Sequence, residues 1–97
     1  MHYDLSVKAE EDLVRLYLDG VQRFGVHAAE EYWAQFERFF QLPAENPAAA
    51  KARAEIDPPV RIHPCGAHVI VYIAKDEGGI LVLRVRHGRE DWSNSPV

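Results

Sequence analysis

Apolar residues recur every three or four positions through the first half of this chain and every second position from residue 60 to residue 87. That change of period predicts helices first and strands last. Tyr3-Asp4-Leu5 reads as a short opening strand, and Ser6 is placed to cap the helix that follows. Glu10, Glu11 and Asp12 sit near its start, where the helix dipole favours negative charge. Ala9, Leu13, Leu16, Tyr17, Val21 and Phe24 then trace one stripe, and Gly25 ends the helix as a C′ residue. A second helix is expected from Ala28 to Leu42, with Ala29, Tyr32, Trp33, Phe36, Phe39 and Phe40 along its core side. The short Gly25–His27 link makes the pair an antiparallel hairpin.

Pro43, Pro47, Pro58 and Pro59 punctuate a long connection, in which a helical turn is expected around Ala48–Ala54. Three strands complete the chain: Val60–His63, Ala67–Lys75 after a Pro64-Cys65-Gly66 turn, and Ile80–His87 after the Asp76–Gly79 loop. The order β-α-α-β-β-β describes an α+β domain, a helical hairpin on a mostly antiparallel sheet.

Alternation divides the strand residues into two sets. Val60, Ile62, Val69, Val71, Ile73, Leu81, Leu83 and Val85 form a wholly apolar set, expected to pack on the helices. The other set is mixed: Arg61, His63, His68, Ile70, Tyr72, Ile80, Val82, Arg84 and Arg86. It should form a second face, apolar in its middle and basic at its edge, open to a partner.

Composition narrows the functional classes. The 97 residues, 47% hydrophobic and 27% charged, suit a single globular domain over residues 1–97. No apolar run reaches the ~18 residues a membrane span requires. The opening MHYDLSVKAEEDL lacks the basic-then-apolar pattern of a signal peptide, so a cytoplasmic protein is expected. Cys65 is the single cysteine and cannot form an internal disulfide. The net charge of −4 is uneven, −5 over residues 1–50 and +1 over residues 51–97. An acidic chain with one basic corner argues against direct nucleic-acid binding, which sums many phosphate contacts.

That corner lies at the end of the last strand, in GILVLRVRHGRED, where Arg84, Arg86, His87 and Arg89 precede Glu90 and Asp91. Guanidinium forks suit phosphates or carboxylates, and a histidine titrates near neutral pH. The same arginines could equally pair with Glu90 or Asp91 and fix the tail. His63, Cys65 and His68 flank one turn, but three ligands at that spacing do not make a zinc site, and no metal or cofactor is expected. Trp92 either covers an edge of the core or anchors a partner.

Taken in order, YDLSVKAEEDL, RFGVHAAEEYWAQFERFFQLPAENP and PPVRIHPCGAHVIVYIAKDEGGILVLRVRHGRED resemble the RelE/ParE superfamily of bacterial type II toxins, and more closely its ParE branch. Arg61, the His68–Tyr72 stretch and the LRVRHGRED terminus carry most of the likeness. The resemblance implies the same β-α-α-β-β-β fold and a toxin neutralised by a cognate ParD-like antitoxin. Its implied target is DNA gyrase, inhibited by protein–protein binding rather than catalysis.

On that footing Arg61, Arg84, Arg86 and His87 are the candidates for target binding and toxicity, and Arg84→Ala should abolish toxicity while sparing the antitoxin complex. The candidates for antitoxin contact are Ile70, Tyr72, Ile80 and Val82 on the sheet, Leu13, Leu16 and Tyr17 on the first helix, and Trp92. The RelE branch implies an alternative, ribosome-dependent mRNA cleavage, in which Arg61 and Arg84 would hold a phosphate and His87 would move a proton. Lys51 and Arg53 match that branch's basic segment only loosely, and no tyrosine follows Tyr72. A non-toxic adaptor that binds an antitoxin-like peptide on the same fold is a further alternative.

Overall fold

The computed structural model describes residues 2–47, 50, 52–53 (as backbone) and 60–88. Strand β1 (Tyr3–Leu5) leads into helices α1 (Val7–Phe24) and α2 (Val26–Glu45). Strands β2 (Ala52–Arg53), β3 (Val60–Cys65), β4 (His68–Ala74) and β5 (Ile80–His87) follow. The sheet order is β1-β5-β4-β3-β2. Among the described residues only the β1–β5 pairing is parallel, Tyr3 lying opposite Ile80, and the other neighbours are antiparallel. The predicted α+β arrangement is therefore the observed one. The exception is Ala52–Arg53, where a two-residue strand pairs with β3 in place of a helical turn.

Local chemistry sets the helix ends. The Ser6 hydroxyl accepts from the Ala9 amide at 3.0 Å and donates to the Leu83 carbonyl at 2.7 Å, so one side chain caps α1 and ties it to β5. Gly25 takes φ 90°, a conformation open to glycine. Its N–H closes α1 on the Val21 carbonyl, and its own carbonyl accepts from Ala29, starting α2. The second helix runs three residues past the expected Leu42. Pro43 lacks an N–H, but it lies in the last turn, and both Pro43 and Ala44 are buried against the core.

The expected assignment of sheet faces is reversed. Ile70, Tyr72, Ile80 and Val82 lie beneath the hairpin in one cluster with Ala9, Leu13, Phe36, Phe40 and Ala44. Val60, Val71, Ile62, Ile73 and Leu83 form a smaller cluster on the opposite face. Val85 leaves its predicted set because a bulge intervenes. Val71 pairs with Arg84 but Tyr72 pairs with Val82, which leaves Leu83 without an opposite residue and shifts the parity of everything after it. The mixed set can face the helices because the layer above supplies partners for its polar members. The Tyr72 hydroxyl donates to the Pro47 carbonyl at 2.9 Å, and Arg61 donates to the Ala50 carbonyl.

Phe36 and Phe40 are core as expected, whereas Trp33 lies on the outside of the hairpin, edge-on to Tyr17 at 5.5 Å between ring centroids. Among the described residues no helix is long and apolar enough to cross a membrane.

Candidate functional site

Asp12 organises the basic corner. It follows Ala9 by three residues and precedes Leu16 by four, so it occupies the buried stripe of α1 rather than its solvent side. Its carboxylate accepts from Arg84 Nε at 2.7 Å and from an Arg84 terminal nitrogen at 2.9 Å, a two-pronged pair. The Val85 backbone N–H adds a third bond at 3.0 Å. β5 can receive a helix side chain here because β1 ends at Leu5, opposite Val82, so that among the described residues no strand pairs with the later part of that edge. The bulge falls at the same place and re-aims Arg84.

Beyond this clamp the end of the sheet is aromatic and basic. His68 and His87 are cross-strand partners, their rings edge-to-face with centroids 5.2 Å apart. The Tyr32 hydroxyl lies 2.7 Å from His68 Nδ1. Burial, reinforced by neighbouring Cys65, pushes the Tyr32 phenol above its ordinary value. Tyr32 therefore keeps its proton, and its neutral hydroxyl shares one hydrogen bond with the His68 ring. Burial alone pushes the Cys65 thiol up to about 12, so the sulfur stays protonated and is a poor metal ligand or nucleophile. An open cleft lined by Asp12, Arg15, Asp19, His68, Arg86 and His87 runs between α1 and this strand end.

The four target-binding candidates do not form one edge. Arg84, Arg86 and His87 share the end of β5, but Arg61 lies two strands away and four residues off the His87 level, roughly 16 Å by strand geometry. Arg61 instead ties β3 to the chain leaving α2. Arg84 is one half of a structural clamp, so Arg84→Ala would weaken the tie between α1 and β5 as well as remove a charge, and its effect on toxicity would not be separable from its effect on stability.

The antitoxin candidates are not all on the surface. Ile70, Tyr72, Ile80, Val82 and Leu13 are buried in the core, because the mixed set turned toward the helices. Leu16 and Tyr17 stay half-buried, and Trp92 lies outside the described residues, as do Glu90 and Asp91.

Sequence reasoning missed Asp12 as a partner of Arg84, although a carboxylate on the apolar stripe of α1 was the available signal. The Tyr32–His68 pair had none, since it depends on how the hairpin sits over the sheet.

This architecture has known relatives. The family model for the ParE toxin of type II toxin–antitoxin system, parDE, matches residues 3–92. The chain belongs to the ParE toxin family. It is 35% identical over 89 residues to Toxin ParE1 of Mycobacterium tuberculosis, in both the CDC 1551 / Oshkosh and the ATCC 25618 / H37Rv strains, covering 92% of this chain and 91% of that protein. The chromosomal ParDE TA system from P. aeruginosa shares the fold with a TM-score of 0.76 at 19% identity, over 90% of this chain and 95% of that one. As a member of the ParE family, the chain is a toxin of the type II toxin–antitoxin class.

Proposed function

We propose that this ParE-family toxin arrests DNA gyrase by binding it, without catalysis, and that a ParD-like antitoxin neutralises it. One observation favours binding over the RelE-like nuclease chemistry: Arg61, Arg84 and His87 do not converge. A phosphodiester cleavage site needs its cations and its proton-transfer group within hydrogen-bond reach of one reacting phosphate. Here Arg61 serves a carbonyl and Arg84 a carboxylate at separate places. Within this reading Arg86 and His87 are the target contacts at the end of β5. Leu16, and Tyr17 beside Trp33, remain as antitoxin contacts, and the cytoplasm is the site of action.

The experiment adds the purified chain to gyrase, plasmid and ATP and follows supercoiling together with trapped, cleaved DNA. Inhibition with accumulating cleavage complexes, weakened by Arg86→Glu and by His87→Ala in folded protein, is the expected result. A folded chain that stops growth yet leaves gyrase untouched would overturn the proposal and direct attention to mRNA cleavage on ribosomes.

A further inference from the structure

The outer face of α1 carries large apolar side chains that the fold leaves uncovered. Val7, Val14 and Leu18 are 72%, 53% and 58% exposed. At about 100° per residue the three fall within roughly 40° of one another, a narrow seam along a helix about 27 Å long. Four charged residues run down one side of the seam in alternating sign: Lys8, Glu11, Arg15 and Asp19. Glu11, Arg15 and Asp19 line the same shallow groove as the apolar residues.

We propose that this face pairs with the same face of a second copy of the chain, the two α1 helices running antiparallel about a two-fold axis near residue 13. In an antiparallel pair each flank of the seam meets its own counterpart, so a flank is self-complementary only if its charges change sign under reversal. This one does. Lys8 falls opposite Asp19 and Glu11 opposite Arg15, each pair formed twice. The midpoints of both pairs fall within about one residue, or ~1.5 Å, of each other.

The apolar residues obey the same centre, Val7 meeting Leu18 and Val14 meeting its own copy near the axis. On the other flank Glu10 falls opposite Tyr17 rather than opposite Glu10, so no like charges are forced together. Two ion pairs already present would be rearranged: Arg23 to Asp19 at 3.2 Å and Arg15 to Asp12 at 3.9 Å. Each involves an exposed side chain in water, so its loss costs little. A partner helix of arbitrary sequence would have no reason to match an alternating pattern centred on the seam, which is why the second copy is the favoured occupant. An interface of one helix face per subunit lies at the small end of specific interfaces, so the dimer is expected to be weak and concentration-dependent.

Sedimentation of the purified full chain across a concentration series tests this. The mass should rise from 11.0 kDa toward about twice that value. Leu18→Glu should abolish the rise, and Arg15→Glu should weaken association at least about tenfold. The double variant Glu11→Arg/Arg15→Glu should restore it, because the reversed pairs re-form. Circular dichroism confirms that each variant is folded. A chain that stays monomeric to ~500 µM, or a dimer indifferent to these substitutions, would overturn the proposal. So would a monomer whose Leu18→Glu variant loses its antitoxin, which would assign the seam to the antitoxin instead.

Discussion

Removing the Asp12 carboxylate should be among the most damaging single substitutions in this protein, and more damaging than removing Arg84. The Asp12 side chain is 6% exposed and accepts three hydrogen bonds, two from Arg84 and one from the Val85 N–H. Asp12→Ala removes two hydrogen bonds from an Arg84 side chain that is itself only 17% exposed and takes the carboxylate acceptor from the Val85 N–H on β5. Breaking a buried pair from one side costs ~3–5 kcal/mol. The partial solvent access of Arg84 places the expectation near the lower bound, about 3 kcal/mol. Arg84→Ala leaves Asp12 bonded to Val85 and with Arg15 already 3.9 Å away, so about 2 kcal/mol is expected. For a domain of this size ~3 kcal/mol lowers Tm by roughly 12–24 °C.

Urea and thermal unfolding followed by circular dichroism measure both variants, and Arg84→Met tests whether the arginine's charge is needed for stability at all. Values within ~0.5 kcal/mol of the parent for Asp12→Ala would refute the clamp. An Arg84→Ala protein of parental stability that has lost toxicity would return Arg84 to the target-binding surface.

Three further outcomes are expected. Ser6→Ala removes the α1 cap and a bond to β5, and urea unfolding should show a loss of ~1–2 kcal/mol. Stability should fall as pH rises above about 9 toward about 12, because the folded chain holds the Cys65 proton while the unfolded chain releases it. That one thiol contributes a slope of up to ~1.4 kcal/mol per pH unit, and burial of Tyr3, Tyr32 and Tyr72 acts in the same direction from their ordinary value of 10.0. Cys65→Ala should flatten the profile between pH 9 and 10, read by unfolding at fixed pH. Gly79→Ala should destabilise by several kcal/mol in thermal melts: its φ is +78° and an added Cβ would lie 2.3 Å from the His2 carbonyl oxygen, where β1 meets β5.

Sequence periodicity determined the elements and their order, because period and capping are local. The Ser6 cap, the Gly25 break and the strands around the Gly66 and Gly79 turns depend on residues within a few positions of each other. Even the family likeness was legible, since it resides in ordered segments. Which sheet face meets the helices was not legible. Both alternating sets are apolar enough to be buried, and the choice fell to polar partners supplied from far along the chain: Tyr32 for His68, and the carbonyls of Pro47 and Ala50 for Tyr72 and Arg61. The bulge opposite Leu83 then moved Val85 to the other face, a one-residue shift that no alternation rule anticipates. Tertiary structure also separated Arg61 from the Arg84–His87 corner, because β4 lies between their strands. Hydrophobic period is a property of one segment, whereas the satisfaction of a buried charge belongs to two segments at once, and only the folded chain brings them together.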